Sequence, residues 1–219
     1  MSETFLDALT DEEAADLHAA GRRRAYGPGV TLFHEGDDSG PVVVLLSGRV
    51  KVATLGGAGR EAIIAVRGPG DLIGELSAID GGPRSATVTT LEPTEALLVA
   101  GSAFAGFLER RGRIALVLLR MVSGRLRYAD SQQAQFATQD VVGRVARRLL
   151  ELGERFGVPE NGRIEIELPL SQEELAAWTG SSREAVSKAL QILRTLHIVE
   201  TGRKHITLLD ADALRRRAL

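Results

Sequence analysis

After Gly101 the turn residues thin out and the hydrophobic period of this chain changes, which divides it into a β domain and a region that opens on a long helix. From about Thr31 to Val99, short β-rich runs (VTLF, VVVLL, RVKVATL, EAIIAV, TVTT, EALLV) alternate with turns at Gly27-Pro28-Gly29, Ser47-Gly48, Gly56-Gly57-Ala58-Gly59 and Gly68-Pro69-Gly70. Strands this short, joined this tightly, fit a β-sandwich or a rolled barrel. Beyond Gly101, Ala115, Leu119, Val122, Leu126, Ala129, Gln133 and Phe136 recur in alternating steps of four and three. That is a heptad seam along one long helix, which meets either a partner helix or the helix's own β domain.

Composition removes several chemistries. The 219 residues include no cysteine, which excludes disulfides, thiolate zinc sites, cysteine-ligated iron–sulfur clusters and cysteine nucleophiles. The four histidines (His18, His34, His197, His205) are scattered, and only His34 lies in the β region, too few for a haem sensor or a cupin-type metal enzyme. No enzyme and no metal are expected. The start, MSETFLDALTDEEAAD, is acidic and amphipathic, and no apolar run approaches a membrane span, so a cytoplasmic protein without a membrane partner is expected. The net charge of −2 hides an asymmetry: residues 1–140 hold 14 basic and 18 acidic side chains, residues 141–219 hold 13 and 11. The C-terminal third is therefore the better place for a polyanion partner.

After Asp140, VVGRVARRLLELGERFG reads as an amphipathic helix and RIEIELPL as a strand stopped at Pro169. A helix opening at Ser171, a second opening near Ser182 and a hairpin, HIVETGRKHITLL, turning at Gly202 are the parts of a winged helix-turn-helix. Ser171-x-x-Glu174 fits a capping box, and Ser181-x-x-Glu184 repeats the pattern, which would spend Glu184 on the helix end. In the second helix Val186, Ala189, Leu190 and Leu193 form the buried face, leaving Arg183, Glu184, Ser187, Lys188 and Gln191 outward. An arginine fork matches guanine O6 and N7, and a glutamate accepts from cytosine N4. Ser171, Gln172 and Ser181 complete the expected DNA-binding set, while Trp178 reads as core and Arg215, Arg216 and Arg217 as a frayed basic end.

One stretch of the β region carries its own chemistry: Gly70-Asp71-Leu72-Ile73-Gly74-Glu75-Leu76-Ser77, then Gly81-Gly82-Pro83-Arg84-Ser85-Ala86. A glycine bend entering a short helical turn turns backbone N–H groups outward toward an anion. Arg84 and Ser85 could join them on a phosphate and Glu75 could accept from a ribose hydroxyl, or Glu75 and Arg84 could simply pair with each other.

In this order, a β region with G-E-L-S and R-S, a long helix and S-R-E-A-V-S-K, the sequence resembles the cyclic-AMP receptor protein (CRP/FNR) family of bacterial regulators over nearly its whole length. The resemblance implies an α+β fold: a jelly-roll-like cyclic-nucleotide-binding β-roll over residues 1–110, a dimerisation helix over 111–138 and a winged helix-turn-helix over 139–219. It implies a cyclic-nucleotide site at Gly74, Glu75, Leu76, Ser77, Arg84 and Ser85, with Arg125 holding Glu75. It also implies a homodimer through Ala115, Leu119, Val122, Leu126 and Phe136, double-stranded DNA with a TGTGA-like half-site read by Arg183, Glu184 and Lys188, and RNA polymerase as a partner. Two positions depart from the family. Lys188 stands where the best-known member has Arg, and Ala129-Asp130 stands where the long helix presents a Thr-Ser pair to adenine. An ionised Asp130 accepts from adenine N6 but matches guanine N1–H and N2–H better as a bidentate acceptor, so cGMP stays open beside the cAMP that the resemblance implies as the first expectation. A regulator that ignores nucleotides, binding DNA constitutively, stands level with cGMP.

Overall fold

The computed structural model describes residues 4–56, 59–167, 170–202 and 204–218, with the side chains of 134–138 also outside the description. The expected seam position Phe136 and the strand stop at Pro169 therefore lie outside the described residues. The chain divides into two compact units, Glu3–Arg127 and Tyr128–Leu219.

In the first unit, α1 (Asp11–Ala20) precedes β1 (Gly21–Tyr26), β2 (Thr31–Phe33), β3 (Val42–Ser47), β4 (Val50–Leu55), β5 (Glu61–Arg67) and β6 (Leu72–Ile73). The short α2 (Glu75–Asp80), β7 (Thr87–Thr90), β8 (Thr94–Val99) and α3 (Gly101–Arg110) follow, and then α4 (Gly112–Thr138) begins. Two four-stranded antiparallel sheets form, in the orders β1-β8-β3-β6 and β2-β7-β4-β5. The unbroken apolar run Val42–Leu45 on β3 is explained by burial on both faces. Val43 and Leu45 point between the sheets onto Val50, Ile73, Val88 and Ala96. Val42 and Val44 join the helical layer, with Phe5, Leu17, Phe104, Phe107, Ile114 and Leu118.

In the second unit, α5 (Val141–Phe156) is capped by Asp140, whose carboxylate accepts from the Gly143 amide at 2.7 Å. Then come β9 (Val158–Glu160), β10 (Arg163–Glu167), α6 (Gln172–Thr179), α7 (Arg183–Thr195), β11 (Val199–Gly202), β12 (His205–Leu208) and α8 (Ala211–Arg217). The strands form one antiparallel sheet ordered β11-β12-β10-β9.

The two compact units meet at Arg127/Tyr128, inside the long helix. The start of α4 packs Ile114 and Leu118 into the first core, whereas Tyr128 and Gln132 bond to α5. The arginines 215–217 are not a frayed end: they form the last turn of α8, anchored by buried Leu214 and by the Gln139 amide donating to the Ala218 carbonyl at 2.6 Å. The recognition helix is capped by Ser182, not Ser181; the Ser182 hydroxyl accepts from the Ala185 amide at 3.2 Å.

Candidate ligand site and DNA-reading surface

The loop after β6 turns into α2 through Gly74, at φ 76°, and no side chain caps the helix there. Arg84 returns beneath it. One guanidinium nitrogen donates to the Gly74 carbonyl at 2.9 Å and to Ser77 Oγ at 2.8 Å, and the other to the Pro41 carbonyl at 2.8 Å. The group also lies over the Phe33 ring, 4.2 Å from its centroid. Arg84 is only 3 % exposed, and its Nε is buried without a partner. Among the described residues no carboxylate lies within ion-pair distance of it. Burial pushes its pKa below the ordinary arginine value, against the pull of the Asp37 and Glu75 charges.

Glu75 is spoken for elsewhere, so the alternative of a simple Glu75–Arg84 pair is overturned. Its Oε1 takes the Arg125 guanidinium at 2.5 Å, and Arg125 also donates to the Leu72 carbonyl at 2.8 Å. Ser77 is buried and holds Arg84 rather than lining an open surface, while Ser85 and Leu76 are exposed beside it. A buried cation flanked by a positive-φ glycine turn, an exposed hydroxyl and an anchored carboxylate can receive a phosphate and a sugar hydroxyl together. Phe33 and Pro41 are parts of this cradle that sequence reasoning missed, since a ring face and a backbone carbonyl tens of residues away leave no local signal. Ala129 and Asp130 are both exposed on α4, in the second unit.

In the helix-turn-helix, Ser171 and Glu174 make the full capping box: the Glu174 amide donates to Ser171 Oγ at 3.1 Å and the Ser171 amide to Glu174 Oε2 at 2.8 Å. Gly180 turns the chain at φ 58°. Val186, Ala189, Leu190 and Leu193 are buried, and Arg183, Glu184, Ser187 and Lys188 exposed, along with Ser171 and Gln172. Arg183 meets Glu173 at 3.3 Å, an exposed pair that is cheap to release. The Glu184 carboxylate accepts from its own amide and from Ser182, which holds its pKa below the usual range. Glu184 is thus partly engaged at the helix end, through Ser182. Ser181 is turned inward and accepts from Arg144 at 3.1 Å, which sets it apart from the outward set. Between α6, α7 and the wing an open groove of about 580 Å³ is lined by Ser171, Gln172, Ser187, Arg194 and Lys204. Arg194, on the same helix and exposed, was not anticipated.

Along α4 the seam divides. Ala115 is exposed, Leu119 and Leu126 are 60 % and 63 % exposed, and Leu116 beside them is 55 % exposed. Val122 is half-buried and packs against the core of its own unit. No helix among the described residues is long and apolar enough to cross a membrane, and no group of three or more metal-binding side chains occurs among them.

A sealed cation cradle in a β-roll, followed by a winged helix-turn-helix with an outward Arg-Glu-x-x-Ser-Lys face, defines a DNA-binding regulator with a ligand domain. Comparison with known proteins agrees: residues 23–111 match the cyclic nucleotide-binding domain and residues 143–217 the Crp-like helix-turn-helix domain. The chain is 36 % identical over 190 residues to the CRP-like cAMP-activated global transcriptional regulator of Mycobacterium tuberculosis, covering 87 % of this chain and 85 % of that protein. It is 32 % identical to the cyclic AMP receptor protein of Thermus thermophilus, covering 88 % and 86 %. The solved structure of FixK2 from Bradyrhizobium japonicum superposes with a TM-score of 0.81 at 25 % identity, covering 91 % of this chain and 98 % of that one. The chain belongs to the CRP/FNR family of transcription regulators, which are not enzymes.

Proposed function

We propose that this protein is a homodimeric, cytoplasmic transcription regulator whose affinity for a TGTGA-like palindrome is set by a cyclic nucleotide, cAMP in first place. The observation that carries the reading is Arg84, a guanidinium buried to 3 % exposure with, among the described residues, no carboxylate partner and an unpaired Nε. Burying such a charge costs on the order of several kcal/mol, which a bound phosphate would offset. Glu75, fixed by Arg125, takes the ribose hydroxyl in this reading, and Gly74 and Ser85 border the phosphate. The exposed leucines of α4 supply the dimer contact, placing two recognition helices about 34 Å apart on one face of DNA. Arg183 reads guanine, Glu184 a cytosine, and Lys188 a guanine or a phosphate; Ser171 and Gln172 follow the backbone. RNA polymerase is the expected downstream partner.

The exposed carboxylate of Asp130 favours one second reading, a response to cGMP, because it is acceptor-only where guanine offers two adjacent donors. Isothermal titration of the wild-type protein and Arg84→Ala with cAMP and with cGMP tests the site. The expected outcome is binding of one nucleotide by the wild type and a loss of about 2 kcal/mol or more in the variant. Equal affinity in the two proteins overturns the assignment of Arg84.

A further inference from the structure

A second buried arginine lies in the C-terminal unit, where neither nucleotide nor operator contact uses it. Arg148 of α5 is 4 % exposed. Its guanidinium donates to the Tyr128 hydroxyl, to Glu151 Oε2 at 3.0 Å and to Gln132 Oε1 at 2.6 Å, and it lies 4.9 Å from the Trp178 ring centroid. The Tyr128 hydroxyl donates in turn to Glu151 at 2.6 Å. Burial, reinforced by the Glu151 charge, pushes the Tyr128 pKa up, so the phenol keeps its proton and remains a donor. One side chain thereby ties the last turns of α4 to α5 and to α6, the first helix of the helix-turn-helix.

The network is only part made. Gln132 Nε2, Gln139 Oε1 and Trp178 Nε1 are buried without hydrogen-bond partners among the described residues, and all three residues line one cavity of about 10 Å³ together with Arg148. Desolvated groups left unpaired favour any nearby arrangement that pairs them, so a small shift of the α4 turns on α5 competes with the packing seen. In the sequence of α4, Tyr128 follows Arg125, the residue on Glu75, by three positions.

We infer that Arg148 is a positioning residue for operator binding: it sets how α6 and α7 rest on the last turns of α4, and the state of its cluster follows occupancy of the nucleotide site. This rests on the reading of Gly74–Ser85 as a nucleotide site that gates DNA binding. The test uses the full chain with Arg148→Met, which keeps an apolar stem against Trp178, and with Tyr128→Phe, which removes one hydroxyl and serves should the first variant not fold. Operator affinity is measured by fluorescence anisotropy with and without saturating cAMP or cGMP, alongside the emission of Trp178, the only tryptophan in the chain. The gain in operator affinity on adding nucleotide is expected to fall about tenfold in Arg148→Met and less in Tyr128→Phe, with the nucleotide-induced change in Trp178 emission lost. A purely structural role lowers affinity equally with and without nucleotide, leaving the gain intact; that result, or a wild-type emission response in both variants, overturns the proposal. A wild-type protein with no gain from either nucleotide overturns the gating reading instead. Arg148 must then alter the basal operator affinity about tenfold with circular dichroism unchanged, and an unaltered basal affinity overturns its role as well.

Discussion

At Gly74 two demands meet in one residue: the backbone is left-handed at φ 76°, and a Cβ there would stand 2.4 Å from an Arg84 nitrogen. Gly81, at the other end of α2, has φ 69° but nothing within 4 Å of its Cβ position. Gly81→Ala therefore meets backbone strain alone, about 1 kcal/mol, and should leave nucleotide affinity near wild type. Gly74→Ala adds the displaced guanidinium, so urea unfolding should show a larger loss, about 2–3 kcal/mol, and titration calorimetry a weakened site. On the DNA side, Arg183→Ala should cost about 1–3 kcal/mol in operator affinity while nucleotide binding is kept, and an unaltered footprint would contradict the assignment. Residues that act through their own helix turn were legible in the sequence: Ser171 and Glu174 cap as their spacing requires. The partner of Glu75 could not be found that way, because Arg125 lies 50 positions off and only the family resemblance supplied it. Arg84 gave its position but not its burial, since neither Phe33 nor Pro41 announces that it encloses a cation.

Among the elements, the Glu13 carboxylate ties α1 to the start of α4. Glu13 closes a capping box with Thr10 and receives Arg113, whose Nε lies 3.0 Å from Oε1. The Arg113 hydrogen bonds, followed by the Thr10 amide, hold its pKa down at about 2, against an ordinary 4.5. A depressed carboxylate pKa contributes stability that is fully present above the unfolded value and is lost as pH falls from about 4.5 toward 2. Glu13→Gln should therefore flatten the acid limb of the stability curve in that window, and equal slopes in denaturant titrations from pH 5 to 2 would contradict the pin. On α4, Leu119→Glu alters a side chain 60 % exposed on its own protomer, so the protomer's packing should change by no more than about 0.5 kcal/mol, apart from the concentration-dependent stability that the dimer adds. Sedimentation should nevertheless show a monomer, and a dimer of wild-type strength would remove Leu119 from the seam. The heptad spacing made this face legible, whereas β1 was hidden because GRRRAY offers no apolar alternation and its outward arginines resemble a loop. Likewise the Tyr128–Arg148–Glu151 cluster reads in sequence as ordinary helix charges; its burial arises only when α4, α5 and α6 pack.

For the whole molecule, the alternation of short strands and the later helical period were enough to place a sandwich or rolled barrel before a winged helix-turn-helix, because each half keeps its own local pattern; the β-roll itself came from the family resemblance. The division of the chain within α4 was not legible that way, since helix periodicity continues through Tyr128 while the surfaces it packs against change. A regulator of this kind gains DNA affinity only by the difference in nucleotide affinity between its DNA-competent and incompetent states. The most direct measurement is the dissociation constant for a TGTGA-N6-TCACA duplex, taken at fixed salt without nucleotide, with cAMP and with cGMP. Tightening by at least about tenfold with cAMP is the predicted result, and a stronger response to cGMP would assign Asp130 as a guanine acceptor. The same dissociation constant under all three conditions would contradict nucleotide control and leave a constitutive DNA-binding protein.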